Sequence, residues 1–211
     1  IMNWPHNKKE GILLGHLHEQ WHQKELPDRV QLPGSLQEQG KGDDISIQTQ
    51  WTGSVLDKSW YTADEYAKYR EPGNIKVPFW LNPDKYYVGV AWYQKEIEIP
   101  KSWNGKRILF EFERTHWETP LYIDGNEIGH QDALQVPHRY FVNTLAPGKH
   151  VLSLRVDNRM HIDVGLNAHS VSDRTQTNWN GVIGEIKMKA LPVLDIDHIE
   201  VYPDATAKRQ I

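Results

Sequence analysis

There is no cysteine in the 211 residues, so neither a disulfide nor a thiolate-bound metal can hold this chain together. Long apolar runs are missing as well. None approaches the ~18 residues of a membrane-crossing helix, and the opening IMNWPHNKKEG lacks the apolar core of a signal peptide. There is no basic excess either: 24 Lys and Arg face 28 Asp and Glu, for a net charge of −4. A nucleic-acid binder should instead show a basic stripe. These gaps argue against a nucleic-acid partner and a membrane-spanning helix. An apolar fraction of 38% beside 25% charged residues is that of a globular rather than a disordered chain. The length suits one large all-β domain, or one domain plus the start of another. Nine Trp and nine Tyr are many, and the bulk a sandwich core needs accounts for most of them.

From Tyr86 onward the pattern alternates with period two. Ala91 to Ile99 reads as a strand, with Tyr93, Ile97 and Ile99 on one face and Gln94, Glu96 and Glu98 on the other, stopped by Pro100. Arg107 to Glu113 puts Ile108, Phe110 and Phe112 inward and Glu111 and Glu113 outward. Leu121 to Gly129 is a hairpin whose Asp124-Gly125 pair suits a turn with φ > 0. After Pro147-Gly148, Leu152, Leu154 and Val156 alternate with Ser153, Arg155 and Asp157. Short strands with turn signals every ten residues or so predict an all-β sandwich or jelly roll.

The N-terminal 1–28 stretch reads as irregular. Within it, His18-Glu19-Gln20-Trp21-His22 matches H-E-x-x-H, the pattern that sets two histidines on zinc with a glutamate as base. A zinc hydrolase is nonetheless the remote alternative. The chain holds 11 histidines, the helix would lie between Gly15 and Pro27 with little apolar face, and no third ligand stands out. Val30 to Ser35 reads as a short strand closed by a Pro-Gly turn. Residues 37–75 read as long and irregular, with one short helix from Tyr61 to Arg70 capped by Thr62. Asp195 to Tyr202 reads as one more strand, the first of a following domain.

The stretch Ser172 to Lys189 is the strongest candidate for a binding role. Asp173, Gln176, Asn178 and Asn180 gather carboxylate and amide groups around Trp179, before Gly181 and a strand through Ile183, Ile186 and Met188. Amides and acids suit the hydroxyls of a sugar, and an aromatic face suits its C–H side. The alternative is a loop whose amides satisfy one another and the backbone. Trp51, Trp60, Tyr61, Trp80, Tyr86 and Tyr87 could form a stacking platform, but such residues more often pack over a sandwich edge. Glu111 and Glu113 lie about 7 Å apart by strand rise, on what reads as an open polar face without a pocket. His116, Trp117 and His138 read as surface or edge residues, and Asp157-Asn158 as a strand end satisfying turn backbone. No cofactor or metal ligand is assigned.

From about Val30 to Tyr202 the chain resembles the N-terminal sugar-binding domain of glycoside hydrolase family 2, the β-galactosidase, β-glucuronidase and β-mannosidase family, in its Bacteroidetes type. The residues that carry this are Leu32-Pro33-Gly34, Tyr87 to Lys95, Ile99-Pro100, Trp103-Asn104-Gly105-Lys106, Ile123-Asp124-Gly125, Ile128-Gly129, Val156-Asp157-Asn158 and Thr175 to Gly184. Their order and spacing are more specific than any one of them. The resemblance implies a galactose-binding-like jelly-roll β-sandwich over 29–191, with 192–211 opening an immunoglobulin-like domain and a TIM barrel beyond. In that family the barrel carries two catalytic glutamates of a retaining mechanism. A barrel takes about 250 residues, so this stretch is expected to be non-catalytic and to shape the mouth of a β-glycoside site. An autonomous carbohydrate-binding module is the alternative, and a periplasmic or secreted location is expected. Two departures stand out. A leading Leu-x-Gly-x-Trp-x-Phe strand is absent from the sequence, and Thr175 occupies the place of the sugar-contacting aspartate of relatives, with Asp173 the nearest acid.

Overall fold

The computed structural model describes residues 2–4, 26, 28–49, 59–76, 83–165, 168, 171, 178–192, 194, 196 and 198–203. Among them the chain order begins with β1 (Met2–Trp4), β2 (Asp28–Val30), β3 (Gly34–Ser35), β4 (Asp43–Asp44) and β5 (Lys85–Tyr86). It continues with β6 (Val90–Ile99), β7 (Arg107–Phe112), β8 (Thr115–His116), β9 (Thr119–Ile123) and β10 (Asn126–Gln131). β11 (His138–Val142), β12 (Gly148–Asp157), β13 (Gly181–Val182) and β14 (Ile186–Leu191) complete it. The fold is all-β and sandwich-like.

A six-stranded sheet runs in the order β10-β9-β12-β6-β1-β2. Its centre is the antiparallel pair of β6 and β12, in register from Gly148 opposite Ile99 to Asp157 opposite Val90. Two three-stranded sheets, β11-β7-β14 and β3-β13-β8, supply the other side of the core. Ala91, Tyr93 and Ile99 of β6 and Leu152, Leu154 and Val156 of β12 meet Ile108, Phe110 and Phe112 of β7 and Tyr140 of β11. Apart from Tyr140, whose strand the sequence does not mark, these are the residues that alternation points inward. Truncating one such large side chain costs roughly 3–5 kcal/mol. The β9–β10 hairpin turns at Asp124 (φ 50°) and Gly125 (φ 79°), as its Asp-Gly pair predicts.

Several expectations are corrected. On the polar face of β7 Arg107 is exposed and Glu113 half-buried, but Glu111 is covered by long side chains from the strands on both sides. Glu111 is 7% exposed, with Arg139 opposite on one neighbour and Lys187 opposite on the other. Burial pushes the Glu111 carboxyl up, but the Arg139 hydrogen bond (2.7 Å) and the charges of Lys189, Arg139 and Lys187 outweigh it and hold the group below its ordinary value. His116, Trp117 and His138 are not surface residues: each is at most 2% exposed. The strand expected from Ile183 onward begins only at Ile186, in a different sheet from the preceding Gly181–Val182 pair. Gly184 crosses so close to Glu113 that a Cβ there would lie 2.7 Å from its backbone oxygen.

The expected helix over 61–70 is instead a short turn of helix, Ser59–Thr62, followed by a 3-10 segment, Asp64–Tyr69, whose cap residue is Ala63. Trp60 is fully buried there among Ile45, Tyr66, Ile75 and Tyr86, and its indole N–H donates to the Lys76 carbonyl at 2.6 Å. Trp60 is thus a local packing centre, and Tyr87 belongs to the main core. Trp51, Trp80 and the side chain of Tyr61 lie outside the described residues, as do His18, Glu19 and His22. Residues 198–203 form no strand, and Ile199, Val201 and Tyr202 are exposed.

Candidate functional site

The bend just before β13 is built from three residues that face alternately, as extended backbone requires. Asn178 and Asn180 are buried and Trp179 is half-buried. The Asn180 amide donates to the Gly89 and Val156 carbonyls, both at 3.1 Å, and its oxygen accepts from the Tyr93 hydroxyl at 2.8 Å. Asn178 donates to the Asn158 carbonyl at 2.6 Å, and the Asn158 amide returns a bond to Asn178 at 3.1 Å. Gln37 completes the lattice, accepting from the Asn180 backbone N–H at 3.2 Å and donating to the Asn178 carbonyl at 3.3 Å. These amides serve the framework, which is the loop reading weighed beside the ligand-binding one. Asp173 and Gln176 lie outside the described residues.

Gly181 makes the next step possible. At φ 149° it pairs with Ser35 on one side and His116 on the other. A Cβ on it would sit 2.4 Å from the Gly34 carbonyl oxygen, so no other residue fits between β3 and β13 without moving one of them.

With its neighbours turned inward, Trp179 becomes a wall shared by two cavities. The larger, about 490 Å³, is lined by Pro33, Gly34, Ser35, Gln37, Glu38, Pro83, Trp179 and Ile183. Apolar Pro33, Pro83 and Ile183 stand beside an indole and a carboxylate, and Glu38 is fixed by accepting from the Ser35 backbone N–H and hydroxyl, both at 3.2 Å. Such a mix of apolar wall and sparse polar groups is the usual make-up of a small-ligand site. The smaller cavity, about 220 Å³, is lined by Arg114, Thr115, His116, Leu134, Gln135, Val171 and Trp179.

Two buried histidines support this end of the sandwich. The His116 ring lies 5.0 Å from the Trp179 ring, and its Nδ1 is 2.9 Å from the Trp179 carbonyl. A carbonyl only accepts, so Nδ1 carries the proton and Nε2 is left as an acceptor, buried and without a partner among the described residues. Burial pushes His116 down from its ordinary value, against a smaller upward pull from that hydrogen bond. His138 bonds the Ala133 carbonyl through Nε2 at 2.7 Å, so Nδ1 accepts from Thr115 (2.9 Å) and contacts Thr119. Burial lowers it too.

Glu118, Asp157 and His161 place their ligand atoms within 4.8 Å of one another. Arg155 and Arg159 already bind the Asp157 carboxylate, at 3.0 Å and 2.5 Å, and Arg155 reaches Glu118 at 3.5 Å. Two guanidiniums thus balance two carboxylates, and the group is an ion-pair network ill suited to a cation. Burial pushes Asp157 up, but the Arg159 and Arg155 interactions prevail and hold it low.

No family model matches the chain. Among solved structures, part of the chain is similar to a GH2 β-galacturonidase from Eisenbergiella tayi bound to galacturonate: 21% identity and a TM-score of 0.40, over 50% of this chain and 17% of that one. A β-glucuronidase from Ruminococcus gnavus is similar at 19% identity and a TM-score of 0.45, over 55% of this chain and 22% of that one. For a Bifidobacterium dentium β-glucuronidase complexed with coumarin-3-O-glucuronide the values are 24% and 0.35, over 38% and 13%. The likeness is distant and partial, and the chain spans less than a quarter of each of these proteins.

Proposed function

We propose that this chain is a non-catalytic, carbohydrate-facing jelly-roll domain of a family 2 glycoside hydrolase. In this reading, residues 192–211 lead into an immunoglobulin-like domain and a barrel that holds the two glutamates, and the whole protein hydrolyses a β-glycoside. The observation that carries the proposal is Trp179, held at the rim of a 490 Å³ cavity beside Pro33, Pro83, Ile183 and Glu38. An indole suits the C–H face of a sugar ring and a carboxylate accepts from its hydroxyls. Asn178 and Asn180 act as the framework that aims Trp179, and Asp173 and Gln176 join it from the same loop as hydroxyl partners. The motif series from Leu32-Pro33-Gly34 to Gly184 supports the family assignment.

The test is saturation-transfer NMR on the whole chain with neutral methyl β-glycosides, beside a turnover assay on nitrophenyl glycosides. Weak, millimolar binding that falls at least severalfold in Trp179→Ala, with no turnover, is expected. Binding that is undiminished in Trp179→Ala, no saturation transfer at all, or turnover that purifies with the chain would each overturn the proposal. Tight binding by the chain alone would favour an autonomous carbohydrate-binding module.

A further inference from the structure

We propose that the open edge of β14 takes an extended acidic peptide as an added strand, one whose carboxylates alternate with apolar side chains. The site shares no residue with the two cavities and does not depend on the reading given to them.

β14 is the last strand of the β11-β7-β14 sheet, with β7 on one side and no strand on the other among the described residues. On the free side of such a strand, every second residue turns its N–H and C=O outward, which is the template that strand addition uses. The six residues of β14 offer about 20 Å of this edge. Its two faces differ, and each specifies half of the partner. Toward the core, Ile186 and Met188 pack against the buried cluster yet stay partly exposed. The sandwich interior therefore stops at this edge without a closing strand. A strand added there covers both residues with apolar side chains at every second position.

Toward solvent, β14 carries Lys187 and Lys189, whose side chains are 35% and 49% exposed. Arg107 of β7 and Arg139 of β11 stand on the same outer face. The Arg107 guanidinium lies 4.1 Å from the centre of the Phe141 ring and has no carboxylate partner among the described residues. Two carboxylates answer these four cations: Glu111 beneath them, and Glu185 just before the strand. The face is thus positive in a chain whose net charge is −4. Lysines on an edge strand turn away neutral and basic neighbours. They also oppose a second β14, which would set lysine against lysine. They admit a strand that presents carboxylates outward while its alternate residues reach Ile186 and Met188. Period two supplies both from one sequence, acidic then apolar in turn.

The experiment is fluorescence anisotropy with the whole chain and a labelled heptapeptide of alternating glutamate and valine. Three other peptides accompany it: one with lysine for glutamate, hepta-glutamate, and the glutamate–valine peptide methylated on every backbone nitrogen. Hepta-glutamate isolates charge, and methylation removes strand pairing while the charge stays the same. The glutamate–valine peptide should bind at least tenfold more tightly than each of the three. In Lys187→Glu/Lys189→Glu, with its thermal transition retained, the preference should invert in favour of the lysine peptide. If that variant does not fold, Lys189→Gln decides, and should weaken the glutamate–valine peptide at least threefold. No binding of that peptide up to millimolar concentration would overturn the site. So would equal binding of the methylated peptide, or of hepta-glutamate (the mark of a general polyanion surface). A preference that survives charge reversal, or an affinity that Lys189→Gln leaves intact, would do the same.

Discussion

Acid should unfold this protein through two particular histidines. His116 and His138 are both buried and neutral, and desolvation lowers both from the ordinary value of 6.5. In the unfolded chain each binds a proton near that ordinary value, while in the fold each resists until a lower pH. Below about pH 6.5 the unfolded state therefore holds more protons, and stability falls as pH falls. Each histidine contributes a slope of about 1.4 kcal/mol per pH unit while it stays neutral in the fold, or about 2.7 for the pair. Against the roughly 5–15 kcal/mol of a typical domain, that is steep. His150 acts in the opposite sense. The Asp124 hydrogen bond, at 2.6 Å, raises it, so its contribution is fully present below 6.5 and fades only as pH rises through its folded value. Glu111 and Asp157, held low by their cationic partners, add their loss only further into acid. The assay is urea unfolding at closely spaced pH values between about 7.5 and 5. His138→Gln and His116→Gln should each remove about half of the slope, whatever they do to absolute stability. A flat wild-type profile between 6.5 and 5.5, or a slope that survives the double substitution, would refute the assignment.

Two further outcomes are expected. Asn180→Ala removes the partner of the Tyr93 hydroxyl and one donor each from the Val156 and Gly89 carbonyls, the latter keeping a bond from the Asn158 backbone N–H at 3.4 Å, and should cost about 2–4 kcal/mol. In a double-mutant cycle with Tyr93→Phe by urea denaturation, at least about 0.5 kcal/mol of coupling should appear between these contacting residues. Gly181→Ala drives a methyl group to 2.4 Å from the Gly34 oxygen and should lower Tm by far more than Gly105→Ala. The latter position also has positive φ (72°) but meets nothing within 4 Å. Equal Tm losses by calorimetry would remove the steric argument.

The strands of the central ladder were legible because their alternation is uninterrupted: Tyr93, Ile97 and Ile99, then Leu152, Leu154 and Val156, fall on one face each. Period two identifies faces but not whether the second face is covered. That is why Glu111 reads as exposed in sequence and is buried between three cations. A lone histidine carries no burial signal at all, so His116 and His138 became readable only through Trp179 and Ala133, which lie elsewhere in the chain or across a turn. The polar bend around Trp179 stood out by composition, but its partners did not. Pro33, Glu38 and Pro83 reach the larger cavity from far along the chain, and no local pattern ties them to residue 179. Arg114 gave no warning either, since nothing around it spells a left-handed turn as Asp124-Gly125 does.

The long register between β6 and β12 also sets an order of events during synthesis. Ile99 waits for Gly148, and Val90 for Asp157, so the middle of the large sheet cannot close while the ribosome still holds that later segment. Until then the row Ala91, Tyr93 and Ile99 has no ladder beside it on that edge. Distant pairings of this kind slow folding, and a nascent chain halted before Gly148 is the form most in need of a chaperone.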